Sequence, residues 1–156
     1  MRILVVSDTH GNDKALFKAV EQAGEVDLLI HLGDGEADTS LIEDAYDRKV
    51  IRVAGNCDIG SQAPRELFIN IGGKLMLITH GDRYRVKSGL DRLINHGRAA
   101  GADIILYGHT HNAFFETDEN CFLLNPGTLS YQASFHSYAV ITIENGIIDA
   151  KISELL

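Results

Sequence analysis

Only two cysteines, Cys57 and Cys121, occur among the 156 residues. They form no Cys-x-x-Cys pair and no disulfide framework, so stability must come from a packed core, and a reducing compartment suits the chain. Basic residues are also short, 14 against 22 acidic ones, for a formal net charge of −8. That deficit makes nucleic acid unlikely as a partner, since such binders neutralise phosphates with Lys and Arg. A phosphate substrate stays open, because bound divalent cations reverse the local sign. No apolar run reaches the length of a membrane span. The start, MRILVVSDTHG, has neither the apolar length nor the cleavage site of a signal peptide. A cytoplasmic protein without membrane contact is expected. Repeats, linkers and low-complexity segments are missing too, and residues 1–156 read as a single domain able to bury its own core.

Strands and helices alternate through the first half. Ile3–Val6 is a short apolar run of the kind found in a strand buried on both faces. A helix is expected from about Asp13 to Ala23, with Leu16, Phe17 and Val20 on one face and Gly24 closing it. Leu28–Ile30 and Val50–Val53 read as strands, with a short helix around Ser40–Tyr46 between them. ELFINI and KLMLIT, joined by Gly72-Gly73, form an expected hairpin. A helix from roughly Lys87 to Ala100 follows, with Leu90, Leu93 and Ile94 as its apolar stripe, and then the strand Asp103–Tyr107. The last third is strand-rich, ending in two runs joined by Asn145-Gly146, a strong hairpin signal. Two packed sheets with helices outside them, in an α/β domain, account for this order.

Chemistry is concentrated where these strands end. Ser7-Asp8-Thr9-His10, His31-Leu32-Gly33-Asp34, Gly55-Asn56-Cys57-Asp58, Thr79-His80-Gly81 and Gly108-His109-Thr110-His111 each follow an apolar strand. In open α/β sheets the crevice beyond the carboxyl ends of strands is where ligands gather, so these residues should converge. Carboxylate, amide oxygen and imidazole together suit first-row divalent metals. In an extended segment the spacing of Asp8 to His10, and of His109 to His111, would send both side chains to one side. Each residue alone has a plainer reading. Asp8 could cap the next helix, Asp34 and Asn56 could form turns, and His80 could be a core histidine.

In this order, D-x-H, G-D, G-N-x-D, H-G and G-H-x-H resemble the calcineurin-like metallophosphoesterase family, and SDTHG, GNCD and NPGT resemble its small bacterial and archaeal phosphodiesterase branch. The resemblance implies a four-layer α-β-β-α sandwich, two mixed sheets flanked by helices. It also implies two divalent metal ions, with manganese first and Ni, Zn, Fe, Co or Mg as alternatives. One would sit on Asp8, His10 and His111 and the other on Asn56, His80 and His109, with Asp34 between them. Asp34, Asn56 and His109 would take part in catalysis directly. The implied activity is hydrolysis of a small phosphodiester, by a metal-bridging hydroxide attacking phosphorus. The resemblance also covers a retromer subunit that keeps the fold as a protein-interaction scaffold, which is the alternative function. A nuclease is disfavoured by the acidic charge, and a protein phosphatase by the short chain. Relatives often assemble as dimers or tetramers, so a homo-oligomer is a further expectation.

Other residues have open roles. His31 lies near the site, for packing or for support of the ligands, and His96 and His136 read as structural or exposed. Asp38 and Asp58 are either supports of the ligands or turn and cap residues. Asn125-Pro126-Gly127-Thr128 would shape the rim or form an ordinary turn. Arg83, Arg85 and Lys87 form a basic cluster, either a phosphate holder, with Arg83 the candidate, or a solvated loop. Larger family members read G-N-H where this chain has Cys57, and their histidine is thought to protonate the leaving group. A thiol of pKa about 8.5 is a poor substitute near neutral pH, so esters with good leaving groups are expected. Many small relatives read H-G-H where this chain has His80-Gly81-Asp82. From Leu129 to Ser137 there is no basic residue of the kind relatives often carry there.

Overall fold

The structure is a computed structural model and describes residues 1–118 and 121–156. Among the described residues, ten strands run as β1 Arg2–Val6, β2 Leu28–His31, β3 Val50–Arg52, β4 Glu66–Ile71, β5 Lys74–Thr79, β6 Ile104–Leu106, β7 Phe114–Thr117, β8 Phe122–Asn125, β9 Ser137–Glu144 and β10 Ile147–Glu154. Three α-helices, α1 Asp13–Ala23, α2 Thr39–Tyr46 and α3 Asp91–Ala99, interleave with them. One sheet has the order β10-β9-β1-β2-β3 and the other β4-β5-β6-β8-β7. In the first, β1, β2 and β3 are parallel and β9 is antiparallel to both its neighbours, β1 and β10; in the second, β5, β6 and β8 are parallel and β4 and β7 antiparallel at the edges.

Strand alternation explains the layers. In β1, Ile3 and Val5 face the other sheet, where they share a core with Ile30, Met76, Ile78, Ile104 and Leu106. Leu4 and Val6 face the opposite way and pack with Leu16, Ala19 and Leu29 under α1 and α2. On the far side, Leu77 and Ile105 meet Leu93 of α3. The result is an α-β-β-α sandwich of two mixed sheets. Covering on both faces is why the parallel strands are apolar throughout rather than alternating.

Two helices differ from their sequence readings. The buried face of α1 is Ala15, Leu16, Ala19 and Ala23, while Phe17 and Val20 are only half-buried, because small side chains let the helix lie close on the sheet. Asn12 caps this helix, its Oδ1 accepting from the Ala15 N–H at 3.2 Å, which leaves Asp8 free of that task. Helix α3 begins at Asp91 rather than near Lys87, because Gly89 has φ 144°, which no α-helix accommodates. Among the described residues no helix is long and apolar enough to cross a membrane.

Leu93 is fully buried between α3 and its sheet. Leu93→Ala is expected to cost about 2–5 kcal/mol of stability. Urea unfolding should show this as a lower midpoint with an unchanged slope.

Candidate metal centre

Loops from both sheets meet at one rim, and the hydrogen bonds that join them cross from sheet to sheet. His109 N–H, after β6, donates to Asp8 Oδ2, after β1, at 3.1 Å. The His80 ring, after β5, bonds Leu32 O, after β2, at 2.9 Å. Beyond β8, the Thr128 hydroxyl donates to Asp8 O at 3.0 Å and Leu129 N–H to Ser7 O at 3.2 Å. All seven sequence-derived candidates, Asp8, His10, Asp34, Asn56, His80, His109 and His111, belong to these loops.

They do not converge by strand alternation. Asp8, His10, Asp34, His109 and His111 have φ of 54°, 47°, 56°, 67° and 61°, so each is in the left-handed region and neither D-x-H nor H-x-H is extended. Among the described residues only three other non-glycine residues, Asp47, Arg85 and Asn145, have positive φ. Each such residue costs on the order of 1 kcal/mol or more, and strain of this kind gathers at functional sites. A left-handed residue after a strand turns the chain back at once. It therefore aims successive side chains into one volume that an extended run would pass by.

Two constellations result. Asp8, His10 and His111 present ligand atoms within 4.8 Å of one another, as do Asp34, His80 and His109. Asp34 lies between them, its Oδ2 3.3 Å from His80 Nε2 and 3.8 Å from His10 Nε2. A third set within the same span joins His10, Asp34 and Cys57. The carboxylates and His80 are buried, whereas His10, Asn56 and His111 stand at the mouth. The site thus has an anionic floor and an open side.

Proton bookkeeping shows that this donor set fits a cation. His80 Nδ1 faces Leu32 O, which only accepts, so Nδ1 carries the ring hydrogen. In the neutral ring Nε2 is then a bare lone pair. It faces Asn56 Oδ1 at 3.2 Å, His109 Nδ1 at 3.1 Å and Asp34 Oδ2 at 3.3 Å. A hydrogen on Nε2 serves one of these three, and a hydrogen on His109 Nδ1 directed at Nε2 serves neither oxygen, so either way at least one oxygen is left without a hydrogen from this pair of rings. Asp8 Oδ1, in turn, is the one buried side-chain oxygen or nitrogen among the described residues that receives no hydrogen bond, and it lies 3.1 Å from His111 Nε2. A divalent ion at either point would satisfy all of its neighbours together.

The titration shifts follow from the same crowding. Burial raises the Asp8 carboxyl, but the His10 and His111 imidazoles and the nearby His80 outweigh it and hold Asp8 well below the usual range. Asp34 is likewise pushed up by burial and down, to about 2, by His80 and the Cys57 N–H. His10 is raised by its contact with Asp8. Burial lowers His80, yet Asp34 and Asp8 raise it overall. His109 is lowered by burial, by His80 and by the Lys87 ammonium. His10 and His80 thus hold protons more readily than usual, at the points where a cation would otherwise sit.

Supporting groups hold the strained loops. Asp58 accepts from the N–H groups of Asp34, Gly35 and Gly55 at 2.7 Å and of Glu36 at 3.2 Å, tying the loop after β3 to the loop after β2. Asp38 accepts from the Thr9 hydroxyl at 2.5 Å and from Gly11 N–H at 2.9 Å. Gly108 and Gly55 are required by proximity. A Cβ on Gly108 would lie 2.0 Å from Ser7 Oγ and 2.8 Å from Asp8 Oδ2, and one on Gly55 would lie 2.0 Å from Asp34 Oδ1. In the Asn125–Thr128 segment, the Asn125 amide donates to Gly108 O at 3.0 Å, so this segment braces the histidine loop. Elsewhere, His96 bonds Glu66 at 3.2 Å and His136 bonds Ser130 O at 2.8 Å, both away from the seven candidates.

The cavity over the site is about 230 Å³, and Cys57, Lys87 and Gln132 line it with the candidate ligands. Of the basic cluster it is Lys87 that reaches this cavity; Arg83 is exposed and does not line it. Gln132 falls in the segment that lacks a basic residue, and only the fold reveals its position. Arg65 is a further residue that sequence reasoning missed. It bonds Gly55 O at 2.6 Å and Asp82 at 2.6 Å, which gives Asp82 a structural task in the His80-Gly81-Asp82 loop.

His31 is fully buried behind the site. Its Nδ1 accepts from Gly33 N–H at 3.1 Å, so Nε2 carries the hydrogen and meets Thr9 Oγ1 at 3.1 Å. Burial pushes its pKa down to about 4 from an ordinary 6.5. Between those values the unfolded chain takes up a proton that the folded chain refuses, so stability falls as pH falls through this window. Urea unfolding in EDTA at pH 7 and pH 5 should show the protein losing about 2 kcal/mol more than its His31→Gln variant. Equal losses would place the His31 proton elsewhere.

Comparison with known proteins identifies the family of the chain. The calcineurin-like phosphoesterase superfamily domain matches residues 1–146. The chain is 34% identical over 148 residues to the probable metallophosphoesterase YsnB of Bacillus subtilis, spanning 93% of this chain and 86% of that protein. It is 30% identical over 144 residues to the phosphodiesterase MJ0936 of Methanocaldococcus jannaschii, spanning 81% and 83%. It is also 32% identical over 138 residues to the vacuolar protein sorting-associated protein 29 of Schizosaccharomyces pombe, spanning 82% and 72%. A predicted phosphoesterase from Streptococcus pneumoniae superposes with a TM-score of 0.80 at 23% identity, covering 98% of this chain and 88% of that one, and so shares the fold. With a family match across nearly its whole length, the chain belongs to the calcineurin-like phosphoesterase family.

Proposed function

We propose that this protein is a metal-dependent phosphodiesterase that acts on small phosphodiesters with two divalent cations, manganese being the first choice. Asp8, His10 and His111 would hold one cation and Asn56, His80 and His109 the other, with Asp34 reaching both. The observation that carries this reading is the cluster around His80 Nε2, where Asn56 Oδ1, His109 Nδ1 and Asp34 Oδ2 lie within 3.3 Å and the two imidazoles have too few hydrogens to pair every acceptor. When bound, such cations supply Lewis acidity toward phosphoryl oxygens and lower the pKa of water.

The chain's own groups do the rest. Asp34 accepts from Cys57 N–H at 2.7 Å through Oδ1, which keeps Oδ2 directed at both constellations. Lys87 places a positive charge in the cavity, where it attracts the phosphate anion. Cys57 stands at the mouth with its thiol pushed up to about 11 by burial and by the carboxylate of Asp34, so at neutral pH it is uncharged and only a weak hydrogen-bond donor. Protonation of a departing alkoxide is then poorly supported, and esters of acidic alcohols or phenols are the better substrates. The second reading, a protein-interaction scaffold, draws support from the likeness to the sorting-associated protein of S. pombe.

Hydrolysis of bis-p-nitrophenyl phosphate separates the two. Turnover with Mn²⁺ should vanish in EDTA and fall at least 1000-fold in Asp34→Asn. The same ion should raise the melting temperature of the wild-type protein but not of that variant. No turnover with any first-row divalent ion would favour the scaffold. Cys57→His should raise turnover of an alkyl phosphodiester by at least 10-fold while changing an aryl diester much less, the signature of added general-acid catalysis. Equal effects on both esters would remove the leaving-group role from this position.

A further inference from the structure

A groove of about 650 Å³ opens beside the metal cavity and shares two of its lining residues, His111 and Gln132. A group bound over the metal ligands can therefore extend into this groove. Its other wall is the segment between β8 and β9. That segment is held by Leu129 N–H to Ser7 O at 3.2 Å, Ser137 N–H to Thr128 O at 3.1 Å, Ala133 N–H to Ser130 O at 3.0 Å and the His136 ring to Ser130 O at 2.8 Å. On this fixed segment Phe135 lines the groove while 74% exposed, a flat apolar face turned to water. Asn112 and Gln132 add amides that both donate and accept. Among the described residues no Lys or Arg lines the groove; Glu154 is its one carboxylate, and His111 and His136 are its imidazoles. Such a lining offers a second anionic group no Lys or Arg to pair with and suits a neutral one.

We propose that this groove is the subsite for one ester group of the substrate, and that the group is a nucleoside. Its base would stack on Phe135, and the amides of Asn112 and Gln132 would bond its polar edges. The physical match is specific. A nucleoside is flat on one side, rich in hydrogen-bonding edges and uncharged, and aromatic side chains stack on any base. The inference rests on the phosphodiesterase reading and names the substrate class for that same site.

Two esters with one leaving group test it: thymidine 5′-p-nitrophenyl phosphate and methyl p-nitrophenyl phosphate, both with Mn²⁺. The wild-type protein should prefer the thymidine ester in kcat/KM by at least 10-fold. Phe135→Ala should cut that preference about 10-fold, mainly through the KM of the thymidine ester, and Phe135→Trp should restore it. Turnover of the methyl ester with no preference, or a preference that Phe135→Ala leaves intact, overturns the subsite while the phosphodiesterase reading stands. Turnover of neither ester overturns both. Sedimentation velocity on the same variants covers the remaining use of an exposed aromatic. If Phe135→Ala dissociates an oligomer, the side chain is a contact between copies and the subsite proposal falls.

Discussion

Too few hydrogens for too many lone pairs is the constraint around which this molecule is arranged. Asp34, Asn56 and His109 bring oxygen and nitrogen atoms within 3.3 Å of His80 Nε2, and Asp8 Oδ1 lies 3.1 Å from His111 Nε2, at the seam between two sheets. Oxygen and nitrogen lone pairs repel unless a proton or a cation lies between them. Protons do this in part, which is why His10 and His80 are more basic than usual and Asp8 and Asp34 more acidic. A divalent ion does it fully, because one ion satisfies every neighbour at once.

Holding that arrangement is costly, and the surrounding structure shows how the cost is met. Five of the seven candidate ligands are left-handed, a conformation that side chains with a Cβ adopt reluctantly. Against that strain stand charged hydrogen bonds from backbone N–H groups to Asp58 and Asp38, the buried His31 and Thr9 pair, and the Arg65 link between Gly55 and Asp82. Glycines 108 and 55 let neighbouring backbone approach the two carboxylates more closely than any Cβ permits. The loops are rigid because each is tied to the next. Most of these ties cross between chain segments far apart in sequence.

Electrostatics divides the surface around the site. The floor is anionic and the protein as a whole carries −8, so a phosphate ester has little reason to approach unless cations are bound. Among the described residues Lys87 is the one Lys or Arg side chain lining the cavity, and the adjoining groove has neither. Charge is thus attracted at one point, and the space beside it is left to neutral, flat chemistry.

Much of this was legible in the sequence. Apolar runs with Asp, Asn or His at their ends placed the strands, their burial on both faces and the seven candidate residues, because burial and polarity are written residue by residue. The helix from Asp13 to Ala23 followed from its period and its closing glycine. What sequence spacing could not supply was the route by which the side chains meet. A spacing of two suggested an extended segment, whereas backbone dihedrals answer to the packing of neighbouring loops and turned Asp8, His10, His109 and His111 left-handed. Nor did spacing choose Lys87 over Arg83, assign Asp82 to Arg65, or bring Gln132 and Phe135 beside His111. Those juxtapositions join residues that only the closing of two sheets on a common core brings together. Residue chemistry is local, while proximity across a rim belongs to the folded chain as a whole.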